Sequence, residues 1–229
     1  MDLACSNEKE FVRNAISYGT RIDLRGFHEI RQIKISDSTN EQADGYIRLG
    51  NGETEIEIFI RIFETEKTLI KLDISANELK KYKDASKSIE KEIEVNLMLP
   101  IEKYFIPILK KYKIGIKIEL NLIKDGGNSY DLLFYGISKI FKCISIPLIE
   151  NIKEEIKEIR ESIDIPYSQT YAIFGDEYLS DPNKLEEQSC DCLVHIFYDQ
   201  SKAQICGMEI NYKRNYKLET LLKIINKGC

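Results

Sequence analysis

Across the glycine pair Gly126-Gly127 the hydrophobic spacing of this chain changes from that of a strand to that of a helix. Ile114, Ile116, Ile118, Leu120 and Leu122 alternate, Asp125-Gly126-Gly127-Asn128-Ser129 interrupts them, and a helical pattern follows from about Ser129 to Cys143. Such a change predicts a strand joined to a helix by a tight turn. Adjacent glycines allow positive φ and leave bare N–H groups at a helix N-terminus, where the peptide dipoles favour an anion. Asn128 and Ser129 are residues that cap helices, but neither carries the fixed positive charge that holds a phosphate firmly. The loop reads as a phosphate site without its key residue.

With 229 residues, 43% of them hydrophobic, the chain can bury a core as one large domain or two small lobes. Its 38 acidic and 33 basic residues give a net charge of -5, so the chain alone is a poor polyanion binder, and a nucleic-acid role needs a local patch or a partner's charge. No basic stretch followed by an apolar run opens the sequence, and no segment approaches the ~20 apolar residues of a membrane span. A soluble intracellular protein is expected. Six cysteines scattered through a chain of this size suit a reducing compartment. Cys190 and Cys192 have no second Cys/His pair at zinc-ligand spacing, and on a strand they share one face as two small buried side chains. No metal and no cofactor is expected.

Asn7 and Glu10 have capping-box spacing ahead of Phe11, Val12, Ala15 and Ile16, which predicts an opening amphipathic helix. Period-two runs follow at Ile33–Ile35, Tyr46–Leu49, Ile56–Ile62 and Ile70–Ile74, divided by glycine turns, as in an antiparallel sheet with one wet face. A helical stripe is predicted over Ala85–Leu97. The segment 100–112 stays ambiguous because Pro107 weakens both readings. Between Pro147 and Pro166, isoleucines three and four apart favour a charged amphipathic helix. Strands are predicted at Thr170–Phe174, Tyr178–Ser180, Leu193–Tyr198 and Ala203–Ile210, then a helix through Leu218, Leu221, Leu222 and Ile225. This interleaving is that of an α+β fold.

His28 lies beside a basic turn and His195 inside a strand pattern, so neither suits a nucleophilic triad. Asp181, Glu186, Glu187 and Asp191 either hold a divalent ion or form a loop and helix start with Asp181 as N-cap. Arg21 and Arg25, around Asp23, either touch RNA or form an Arg/Asp turn that pins the first helix to the sheet.

Four motifs in order resemble RNase PH-like proteins. Arg21-Ile22-Asp23-Leu24-Arg25 is similar to their Arg-x-Asp-Gly-Arg opening, and Leu49-Gly50-Asn51 to their second motif. Asp125-Gly126-Gly127-Asn128 with Asp131 is similar to the strand–glycine–helix element, and Ser180-Asp181-Pro182 with Glu186-Glu187 to the later acidic segment. Among such proteins the chain most resembles the inactive ring subunits of the eukaryotic RNA exosome, of the type called ribosomal RNA-processing protein forty-two, with paralogues forty-three and forty-five open. The resemblance implies a single RNase PH-like domain over 1–229, of the ribosomal protein S5 domain 2-like class, with two lobes of mixed or antiparallel sheet packed with helices. It implies a place in a hexameric ring with related subunits, RNA-binding cap subunits and a separate processive exoribonuclease, in the nucleus, nucleolus and cytoplasm, with RNA threading through and no membrane. Active members carry Thr-Arg after the glycines, where this chain has Asn128 and Ser129, and a second aspartate where it has Glu187. Gly126, Gly127, Asn128 and Ser129 therefore read as a degenerate phosphate loop, and Asp181 and Glu187 as degenerate acidic positions. Leu24 replaces an expected glycine, which argues against a tight turn there. The expected function is a non-catalytic structural subunit; the alternative is a phosphorolytic 3′-exoribonuclease whose site a neighbour completes.

Overall fold

The computed structural model describes residues 4–40, 43–65, 70–76, 113–143, 166–199 and 204–227. The stripe expected over Ala85–Leu97, the segment 100–112 and nearly all of the stretch between Pro147 and Pro166 lie outside these residues. Among the described residues no helix is long and apolar enough to cross a membrane.

Helix α1 (Ser6–Ser17) opens the chain. One sheet contains β1 (Lys34–Asp37), β2 (Gly45–Gly50), β3 (Glu55–Glu64), β4 (Ile70–Ala76) and β5 (Ile114–Lys124), in the order β1-β2-β3-β5-β4. Helix α2 (Ser129–Cys143) leads to a second sheet of β6 (Tyr167–Phe174), β7 (Glu177–Ser180), β8 (Cys192–Asp199) and β9 (Gln204–Tyr212), ordered β7-β6-β8-β9. Short α3 (Lys184–Ser189) lies between β7 and β8, and α4 (Leu218–Lys227) closes the chain.

The alternation in the sequence puts Ile56, Ile58 and Ile60 of β3 beside Ile118, Leu120 and Leu122 of β5 on one buried face. Leu132, Leu133, Phe134, Ile137 and Ile140 of α2 cover that face. Full burial of each such side chain is worth roughly 1.5–3 kcal/mol. The same helix reaches the second sheet: Phe134 meets Phe197 with ring centroids 5.0 Å apart, and Tyr130 meets His195 at 4.4 Å. The two sheets thus share α2. Further along the same face of the second sheet, Val12 and Ile16 of α1 pack against Ala172, Phe174 and Leu179, while the opposite face, with Ile173, Val194 and Ile196, takes Leu221 and Ile224 of α4. Cys190 and Cys192 are both buried, but they do not share a strand face: Cys190 caps the end of α3 and joins the α1 cluster, while Cys192 opens β8 and joins the α4 cluster.

Four further details differ from the sequence reading. β4 pairs with β5 in parallel, so the first sheet is mixed; alternation is the same for either direction and does not reveal it. The N-terminal cap of α1 is Cys5, whose N–H donates to Glu8 Oε2 at 2.7 Å, rather than the Asn7/Glu10 pair, and Phe11 faces solvent. α3 is capped by Asn183, whose Oδ1 accepts from Glu186 N at 3.0 Å, rather than by Asp181. On α4 the buried positions are Thr220, Leu221 and Ile224, while Leu218 and Leu222 are exposed.

Phe134 is 1% exposed and Phe11 67%. Phe134→Ala is expected to cost roughly 3–5 kcal/mol in urea unfolding, and Phe11→Ala less than about 0.5 kcal/mol. Equal midpoints for the two variants would contradict the shared-helix arrangement.

Candidate functional site

The fold brings the four motif stretches to one place. The turn after β2, the start of α2, the segment 21–31 and the chain between β7 and α3 meet at the carboxylate of Asp181, which is 5% exposed. Asp181 Oδ2 accepts from Arg31 N at 2.7 Å, Arg31 Nε at 2.9 Å and Arg25 Nη1 at 2.9 Å. Its Oδ1 accepts from Arg31 Nη2 and Asn128 Nδ2, each at 2.6 Å. Burial alone would raise the Asp181 pKa, but Arg31 and Asn128 outweigh it and hold the carboxyl below its usual 3.8. Asp181 has φ of 50°, a left-handed conformation that Asp tolerates better than most residues.

Arg31 carries most of this junction. Besides Asp181 it donates to Glu53 Oε2 at 2.7 Å and to the carbonyls of Gly126, Gly127 and Pro182. Its own pKa is raised: desolvation opposes the charge, and Asp181 and Glu53 more than compensate. Sequence reasoning missed Arg31 because a single arginine between Ile30 and Ile33 carries no periodic or motif signal.

Arg21 and Arg25 are brought to the same place with different roles. Arg21 is fully buried and forks onto Glu186, Nε to Oε1 at 2.9 Å and Nη2 to Oε2 at 2.6 Å. It also holds the carbonyls of Ser180 and Asp181, each at 3.0 Å. Its guanidinium therefore faces protein on every side and ties the first loop to α3 rather than presenting charge to RNA. Arg25 holds Asp23 and Asp181. The turn expected to be lost with Leu24 is kept: Leu24 takes φ of 65° and stands 85% exposed, so an ordinary side chain tolerates the position at a cost of roughly 1–2 kcal/mol.

The glycine loop is built by close approach. Gly127 has φ of 92°, and a Cβ there would collide with the main chain of Asn183 and Lys184. Gly126 has no positive φ; its Cβ would run into Glu53. Asn128 follows at φ 54°, a region where Asn is favoured. Rather than capping α2, its Nδ2 donates to Asp131 Oδ2 and Asp181 Oδ1. Ser129 begins α2 half-buried.

The N–H groups of Gly126, Gly127 and Asn128 all donate to oxygens of this chain. Gly126 N donates to Thr54 Oγ1 at 3.1 Å, Gly127 N to Asp125 Oδ1 at 3.2 Å, and Asn128 N to Glu187 Oε1 at 2.6 Å. Lys184 Nζ lies between Asp125 Oδ2 at 2.6 Å and Glu187 Oε2 at 3.3 Å. Desolvation raises the Glu187 pKa, and Lys184 and the loop N–H oppose it.

The acidic residues considered for a divalent ion go to separate cations: Asp181 to Arg31 and Arg25, Glu186 to Arg21, Glu187 to Lys184, and Asp191 to Arg13 at 2.6 Å. Among the described residues no group of three or more His, Cys, Asp or Glu is placed to hold a metal.

On the far side of Asn128, Asp131 accepts from Ser168 Oγ, Thr170 N and Thr170 Oγ1 at 2.8–3.0 Å. Since the Thr170 hydroxyl donates to Asp131, it accepts from His195 Nδ1 at 2.9 Å, which makes His195 the Nδ1–H tautomer. Burial pushes the His195 pKa down to about 3, so the ring is neutral. Desolvation raises Asp131 to about 6 against the pull of these donors.

Comparisons with known proteins bear on the fold. No family model matches the sequence. The chain is 23% identical to the exosome complex component Rrp42 of Pyrococcus furiosus, covering 93% of this chain and 86% of the relative. It is 22% identical to Rrp42 of Methanothermobacter thermautotrophicus, covering 99% and 92%. Among solved structures it superposes on a chain of an Archaeoglobus fulgidus exosome with RNA bound to the active site, with a TM-score of 0.74, 17% identity and coverage of 96% and 92%. Rice Rrp46 gives 0.58 at 14% identity, covering 91% and 92%. The chain has the RNase PH-like fold of exosome ring components, and over most of its length it resembles the Rrp42 type.

The two central aspartates have opposite pH signatures. Asp131 binds its proton more tightly folded than unfolded, so its contribution to stability is full below 3.8 and is lost as pH rises through about 6. Asp181, depressed, contributes above 3.8 and loses that contribution as pH falls through its folded value. Carboxyl 13C NMR is expected to give an Asp131 midpoint near 6 and an Asp181 midpoint below 3.8. The reverse order would contradict the placement of Arg31.

Proposed function

We propose that the chain is a non-catalytic ring subunit of an RNA exosome, whose former phosphate site now serves as a structural joint. The reading is carried by one observation: the N–H groups of Gly126, Gly127 and Asn128 donate to the chain's own Thr54, Asp125 and Glu187, and among the described residues no free guanidinium stands beside them. In phosphoryl chemistry an arginine supplies bidentate, charge-assisted anchoring that an amide does not replace. Here the arginines nearest the loop, Arg31 and Arg25, are engaged with Asp181 and its neighbours.

The likeness to archaeal Rrp42 supports membership of a ring of RNase PH-like subunits, with RNA passing through to a nuclease active site elsewhere and RNA-binding caps above. The resemblance to eukaryotic subunits would place such a ring in nucleus, nucleolus and cytoplasm. Large exposed side chains such as Tyr18, Leu24 and Tyr212 suit burial against neighbours.

The purified chain, given RNA and inorganic phosphate, is expected to release no nucleoside diphosphate, and on co-expression to co-purify with an RNase PH-like partner. Diphosphate release would favour the catalytic alternative, a 3′-exoribonuclease completed by a neighbour. A stable monomer that ignores such partners would overturn the ring assignment.

A further inference from the structure

Two cavities, of about 180 and 270 Å³, share the walls Ile30, Asp131, Gln169 and Asp181 and so adjoin as one cleft. Its unsatisfied chemistry is that of an acceptor. The donors to Asp131 are all neutral, from Asn128, Ser168 and Thr170, and among the described residues no lysine or arginine pairs with it. Asn128 lines the first cavity, is 3% exposed, and its Oδ1 is buried without a hydrogen bond. Arg31 lines the same cavity, but its donors are committed to Asp181, Glu53 and three carbonyls. Tyr135 and Tyr167 also line it; the Tyr135 ring has the Lys139 ammonium 5.2 Å from its centroid, and one face of Tyr167 stacks on Tyr198. A carboxylate without a counter-charge and an orphaned amide oxygen both carry desolvation costs that a donor-rich cation relieves.

We propose that this cleft receives the guanidinium or ammonium group of a basic side chain presented by a neighbouring protein subunit. The source of that side chain rests on the ring-subunit reading; the cleft's preference for a cation does not. A phosphate or an RNA backbone is disfavoured, because it would meet Asp131 and Asp181 while Arg31, the cation among the described lining residues, is already committed. The preference of the site is thus reversed from anion to cation.

Isothermal titration of the whole chain with agmatine, an alkylguanidinium, tests this. Saturable one-site binding is expected at about pH 7.5, weakening about tenfold at about pH 5 as Asp131 takes up its proton. Of the other groups facing Asp131, Asp181 stays ionised, His195 beyond Thr170 stays neutral and the Tyr171 hydroxyl titrates higher than usual; His28 lines the second cavity. Gln169→Lys places an ammonium on the shared wall while keeping every donor to Asp131, and is expected to abolish agmatine binding. n-Butylurea, which hydrogen-bonds without charge, is expected not to bind. Absence of saturable agmatine binding, equal binding of butylurea, or binding unchanged at the lower pH or in Gln169→Lys would overturn the proposal. The titration needs no partner protein, so its failure is separate from failure of the co-expression test.

Discussion

The Asp181 carboxylate is the joint on which the described structure depends. Five donors from three residues converge on its two oxygens, and those residues come from the first loop, the strand-bound segment before β1 and the start of α2. Its backbone is equally committed: its N–H donates to Thr170 O, and its carbonyl accepts from both Arg21 and Arg25. Removing such a partner leaves buried guanidinium groups uncompensated, which costs more than the pair contributes while intact. This explains how a left-handed aspartate persists at this point.

The same network accounts for the conformation of the glycine loop without any bound anion. Gly127 is required because α3 packs against it, and Gly126 because the turn at Glu53 does. Asn128 is suited to its left-handed φ and reaches two aspartates at once. With these contacts in place the loop holds the second sheet to the first whether or not an anion binds. Glu187 completes the substitution by giving the helix N-terminus a negative charge from within the chain.

Much of this was legible in the sequence, and the failures have physical causes. Period-two runs located the strands because each has one buried face, and the glycine pair located the junction of β5 and α2. The direction of β4 was not legible, since side-chain alternation is blind to strand polarity. For Arg21 the sequence leaves an RNA contact and a structural Arg/Asp turn equally open, and does not identify its partner, because Glu186 is 165 residues away in the chain. Arg31 and Thr54 gave no signal, being single polar residues whose partners are main-chain groups and carboxylates from distant segments. Leu24 was misleading in the opposite sense: glycine is favoured at its φ but not required by the space around an exposed turn.

The central claim is that the anion position at the start of α2 is filled by the protein's own oxygens. Titration of the purified chain with inorganic phosphate, followed by the amide shifts of Gly126, Gly127 and Asn128, tests it most directly. The account predicts no saturable shift in these three amides at millimolar phosphate. A saturable shift in all of them, with Glu187 displaced from Asn128 N, would contradict it.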